Sequence, residues 1–261
     1  MNTTKFFQLL LAAGLLITFS ACDDDDDDVL DVGQILVEDQ MIPQNSVFVQ
    51  GLEISENGWL VIHPDNGSDA PDASTIISEP VELEDAGQYG AFFLEITDNA
   101  TLTDGKKIWL MLHSDTGEEG TWEFENDNTL DPPFTTGGSI VTESIVISSP
   151  SVTVSNQSIG EDNMVTVDEV QSAVTGWMVI HAENDQGGPG AILGKTQVQS
   201  GVNDDVDVEL IDDNYPAGTT LFAMLHVDVD PAGSFDFPGN DAPEIFGFGD
   251  DNVIVEPFTV Q

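Results

Sequence analysis

The chain contains no arginine, four lysines and a single cysteine, against 49 Asp and Glu, for a formal net charge of −45. A basic footprint for nucleic acid is therefore missing, and nucleic-acid partners are excluded. Anionic lipid head groups would repel such a surface, so charge cannot hold the chain to a membrane. One cysteine makes no intramolecular disulfide, and the fold must stand on its own core. Also missing are a sustained helical period after the N-terminal stretch, a nucleophile elbow, a phosphate-cradling Gly-rich loop before a helix, and H-E-x-x-H. The expectation is a non-catalytic protein. What is present is apolar sequence: hydrophobic residues make up 40% of the chain, enough for a core despite the acidity.

The N-terminal stretch has Lys5, then an apolar run from Phe6 to Phe19, too short to span a membrane. It ends in Phe19-Ser20-Ala21-Cys22, with six aspartates (Asp23 to Asp28) directly after. The arrangement resembles a bacterial lipoprotein signal peptide of the Bacteroidetes type, with Phe19 where an aliphatic residue is usual. The resemblance implies cleavage after residue 21, lipidation of Cys22 with chains such as palmitate, and anchoring in the outer membrane by the lipid alone. Acidic residues after the cysteine resemble a surface-export signal, which implies display on the cell surface. The alternative is a spacer on the periplasmic face. The aspartate run repels itself and reads as an extended tether over residues 22–33.

Two short strings each occur twice. Gly58–His63 (GWLVIH) returns as Gly176–His181 (GWMVIH), and Trp109–Asp115 (WLMLHSD) returns as Phe222–Asp228 (FAMLHVD). All four histidines of the chain lie in these strings. One domain built twice follows, over residues 34–147 and 151–260, joined by the brief connector Ser148-Ser149-Pro150. Each copy offers seven or eight short alternating segments separated by turn clusters such as Pro64-Asp65-Asn66-Gly67. Copy one includes Thr75–Val81 and a short Thr121–Phe124, and copy two includes Ser234–Phe237. The fold class expected is all-β: two tandem immunoglobulin-like or cupredoxin-like β-sandwiches.

Further shared elements are Gly233–Phe237 (G-x-F-x-F) and Asp241-Ala242-Pro243 (D-x-P) in copy two. Copy one has Gly120–Phe124, with Trp122 for the first phenylalanine, then Asp131-Pro132-Pro133. With the histidine strings, this pattern resembles an uncharacterised secreted domain frequent in surface proteins of halophilic archaea. The resemblance covers nearly the whole mature chain and implies an extracellular sandwich without bringing an activity.

Two constellations could carry chemistry. His63 and His113, and likewise His181 and His226, end hydrophobic strands, where the rim of a sandwich is expected. If those strands are neighbours the imidazoles meet, and Met111 and Met224 add a thioether two residues before the second histidine. Such a set suits copper, and the imidazoles alone suit zinc. The alternative is that each ring only hydrogen-bonds a loop and fixes it, with the methionines filling core. The second constellation is the acidic loop after each second histidine: Asp228, Asp230, Asp236 and Asp241 in copy two, and Asp115, Glu118 and Asp131 in copy one. Spaced aspartates before a glycine suit calcium, although neither copy has EF-hand spacing. The alternative is a solvated loop whose aspartates cap turns. The function expected is a surface lipoprotein whose sandwiches act as a spacer, adhesion or binding module, with a metal-binding (calcium or copper) envelope protein as the alternative and an enzyme of unknown type as the second. Protein or glycan partners are not legible.

Overall fold

Strands form where apolar residues alternate, and turns fall where Gly, Asn and Asp cluster. The computed structural model describes residues 32–124, 127, 129–211, 215–229, 232–249 and 252–261. The signal segment, Cys22 and the aspartate run lie outside them. Among the described residues the chain is all-β, with two sandwiches in tandem.

In the first repeat one layer holds Gly33–Leu36, Gly51–Ile54 and Gly87–Tyr89, beside the pair Ser46–Val49 and Phe92–Glu95. The other layer is a five-stranded sheet in the order Gln40–Met41, Thr142–Ser148, Lys106–Ser114, Gly58–Pro64, Val81–Leu83. Its one parallel pair joins Gln40–Met41 to Thr142–Ser148. The second repeat has a three-stranded sheet (Ser151–Thr153, Met164–Ser172, Gly201–Glu209). Facing it is a four-stranded sheet in the order Pro189–Val198, Gly176–Glu183, Thr220–Val227, Val255–Thr259.

Each core lies between its two layers. In the first repeat Leu60, Ile62, Leu110 and Leu112 meet Val47, Val49 and Ile54, all buried. In the second, Met178, Ile180, Ala223 and Leu225 meet Val165 and Val167. Side chains alternate along a strand, so the residues between these leucines and isoleucines face away from that core. They are nevertheless buried. Trp59, Val61, His63, Met111 and His113 all have 6% exposure or less, and a small separate cluster of Val61, Ile76, Phe124 and Trp122 covers this outer face. The central strands are thus covered on both sides, and they read as unbroken apolar runs for that reason.

Three segments expected as strands are not. Thr75–Val81 holds only an isolated bridge from Ser78 to Ile96 before its last residue enters a strand, and Thr121–Phe124 and Ser234–Phe237 are loops. The last two alternate apolar and polar residues, but their backbone N–H groups bond side chains rather than a neighbouring strand. Glu123 N donates to Asp131 Oδ2 at 2.6 Å, and Asp236 N to Asp241 Oδ2 at 2.6 Å.

Candidate functional site

The register of the central strands builds the site. Gly58–Pro64 and Lys106–Ser114 pair so that Trp59 faces His113, Val61 faces Met111 and His63 faces Trp109. The second repeat repeats this with Trp177 facing His226, Val179 facing Met224 and His181 facing Phe222. The two histidines of a repeat therefore sit on the same face at opposite ends of a three-pair stretch. Their side chains lean toward one another over the Val–Met pair between them.

The rings meet. His63 and His113 have centroids 5.6 Å apart and Nε2 atoms 3.4 Å apart, and His181 and His226 have centroids 5.6 Å apart. They do not lie at an open rim, as the strand ends suggested. A loop from the G-x-F-x-F element folds over them, and its aromatic side chains form a cap. Trp122 and Phe124 pack edge-on against His113 at 5.2 and 4.8 Å, and Phe235 and Phe237 pack against His226 at 5.7 and 4.8 Å. Trp59 and Trp177 complete the two boxes through Trp122 and Phe235. The caps were missed as site residues in the sequence, although aromatic residues at matching places in both copies were their signal.

Every ring is oriented through Nδ1. That atom bonds the carbonyl oxygen of Thr75 (2.8 Å) and of Asp72 (3.1 Å) in His63, and of Asp131 (2.7 Å) in His113. In His181 the partner is Gly190 O (2.9 Å), and in His226 it is Asp241 O (3.0 Å). A carbonyl only accepts, so Nδ1 carries the proton and a neutral ring presents Nε2 as a bare lone pair. Burial holds all four below the ordinary histidine range, His113 and His226 at about 4, with the backbone carbonyls pulling weakly the other way. Among the described residues, Nε2 of His181 and of His226 has no hydrogen-bond partner, and neither has the indole N–H of Trp59, Trp122 or Trp177.

The acidic loops serve as the framework of the caps. Asp131 and Asp241 are fully buried. Asp131 accepts N–H bonds from Thr116 (3.2 Å) and Glu123 (2.6 Å), and Asp241 from Val229 (3.0 Å) and Asp236 (2.6 Å). The same two residues orient His113 and His226 through their carbonyls, so one aspartate ties the cap and aims the ring. Asp115 and Asp228 accept from the glycine opening the cap, Gly120 (2.8 Å) and Gly233 (2.8 Å). Glu118 uses its own N–H to bond Glu123 at 2.6 Å, and Asp230 lies outside the described residues. Among the described residues no three His, Cys, Asp or Glu gather as a metal-holding group. The set at each cap is instead two imidazoles with a methionine between them.

The recurring strings, caps and aspartates fall inside two segments, residues 33–148 and 150–260, that each match the family described as a domain of unknown function, DUF7282. The chain belongs to this family. Both DUF7282 repeats carry the same capped histidine pair. No curated protein matches the chain. Among solved structures, a biofilm-associated protein BSP domain is 12% identical with a TM-score of 0.25, covering 88% of this chain and 29% of its own. The chain thus spans under a third of that structure's length. The calcium-binding domain CBD12 of CALX1.1 is 12% identical with a TM-score of 0.22, covering 88% and 100%. The FN1-FN3 domains of chicken CNTN1 are 10% identical with a TM-score of 0.25, covering 74% and 57%. Likenesses this distant bear on neither ligand nor function.

Proposed function

We propose that this is a non-catalytic lipoprotein of the outer membrane, anchored by lipid on Cys22 and displayed on the cell surface. Its tandem DUF7282 sandwiches act there as a stiff acidic spacer that carries a binding or adhesive surface outward. The junction between the repeats carries this reading. Gln44 N donates to Glu244 Oε1 at 2.7 Å, and Gln44 Nε2 to Pro243 O at 2.8 Å. Asn45 and Gly247 exchange two bonds of 2.9 and 2.7 Å, and Phe246 and Phe248 pack on the first core. A spacer transmits position only if its units do not swivel, and four hydrogen bonds with two phenylalanines oppose swivelling. The repeated histidines support a non-catalytic role, because they are shut beneath aromatic side chains. A strongly acidic surface keeps such a protein soluble and off anionic lipids.

The test is protease treatment of intact cells expressing the tagged full chain, alongside Cys22→Ser. Loss of both repeats by shaving, with the variant released from the membrane fraction, is expected. Full protection of the repeats would overturn surface display, and membrane retention of Cys22→Ser would overturn lipid anchoring.

A further inference from the structure

The geometry points to a soft monovalent metal ion, copper(I), held between the two imidazoles of each repeat, with the intervening methionine as third ligand. The sites are His63, His113 and Met111 in the first repeat and His181, His226 and Met224 in the second. This goes beyond the spacer reading and stands independently of it.

The lone pairs demand something between them. With each Nδ1 donating to a carbonyl, the two Nε2 atoms of the first repeat are acceptors only 3.4 Å apart. Two acceptors cannot bond one another. A water donating to both would hold them roughly 4–4.5 Å apart at ordinary hydrogen-bond lengths and angles. A metal at about 2.0–2.1 Å from each nitrogen would subtend roughly 110–115° at this spacing, which leaves room for one more ligand. Register puts Met111 and Met224 on the same face, at the residue pair between the two histidines, which makes them the candidates for that place. In the second repeat both Nε2 atoms are buried and, among the described residues, no protein group bonds them.

The surroundings choose the ion. Two neutral imidazoles and a thioether form a soft set with no anionic member. The site is buried and lined with aromatic rings, and the cost of burying an ion rises with the square of its charge, which favours one charge over two. Calcium finds no oxygen set here, because Asp131 and Asp241 turn both carboxylate oxygens to backbone N–H groups.

The experiment titrates the purified mature chain with copper(I) under reductant, against a chromogenic copper(I) chelator. Two equivalents are expected, falling to one in His63→Gln or His181→Gln and to none in the double variant. Met111→Leu with Met224→Leu should weaken binding about tenfold or more without changing the count. The X-ray absorption spectrum of the loaded wild-type chain supplies an answer even if the variants do not fold: two nitrogens and one sulfur are expected. Failure of the wild-type chain to hold copper against the chelator would overturn the site. So would an oxygen-only spectrum, two equivalents retained by a folded double variant, or zinc binding at these histidines without copper(I).

Discussion

Gly58 and Gly176 open the two histidine strands because a side chain there would strike the neighbouring strand. A Cβ on Gly58 would stand 2.2 Å from His113 O, and one on Gly176 would stand 2.5 Å from His226 O. The glycine lets the backbone that carries the second histidine come close. Gly176→Ala should therefore cost about 2–3 kcal/mol through a backbone clash that cannot relax by rotamer change, read as a lowered urea midpoint. An unchanged midpoint would mean that the strands separate freely at that point. Asp131 sits in the left-handed region with φ of 49°, where Asp and Asn are tolerated and Ala is not. Asp131→Ala loses two buried N–H bonds as well and should cost about 3–4 kcal/mol, whereas Asp131→Asn should cost about half as much. Equal losses in the two variants would show that the carboxylate bonds, and not the backbone, set the effect.

At the scale of elements, the repeat and the sandwich class were legible, because alternating apolar residues and turn clusters are local signals; that the two histidine strands pair was left open, since pairing is not local. The position of the histidines was not. Gly58–Pro64 and Thr220–Val227 are buried on both faces, so their sequence does not distinguish the inner core from the capped outer face. The cap itself looks like a strand: Trp122-Glu123-Phe124 and Phe235-Asp236-Phe237 alternate, yet their N–H groups are taken by Asp131 and Asp241 from about five to eight residues on. No periodicity encodes a loop held by carboxylates. The cap should open as a unit apart from its sheet. Phe124→Ala removes a side chain packed 4.8 Å from His113 and should cost about 2–3 kcal/mol. Hydrogen exchange should then speed at the Glu123 and Thr116 amides while Lys106–Ser114 stays protected. Uniform loss of protection through that strand would show that cap and sheet unfold together.

The whole molecule turns on a residue that its sequence hides. Among 49 acidic residues nothing marks Glu244, yet it is fully buried at the junction between the repeats. Its Oε1 accepts from Gln44 N and from Ile245 N, and its Oε2 has no partner among the described residues. Burial outweighs those bonds and pushes its carboxyl up to about 7 from an ordinary 4.5. Below pH 4.5 the group is protonated whether the chain is folded or not, and it adds no pH dependence. Between about 4.5 and 7 the unfolded chain gives up the proton and the folded chain keeps it, so stability falls as pH rises. Above 7 the full penalty is present. Glu244→Gln keeps an acceptor for both N–H groups and cannot ionise. The variant should exceed the parent by about 2–3 kcal/mol at pH 8 and by far less at pH 4.5. The buried histidines slope the other way, since an unfolded chain takes up protons on them as pH falls below 6.5. They are common to both proteins and cancel in the difference. Denaturant melts of parent and variant at pH 4.5, 6 and 8 measure that difference directly, and the same gap at all three would mean that Glu244 ionises freely. If the gap opens as expected, the junction holds most tightly in mildly acid water. X-ray scattering of the parent should then show its inter-repeat distances broadening between pH 6 and 8, and those of Glu244→Gln staying fixed.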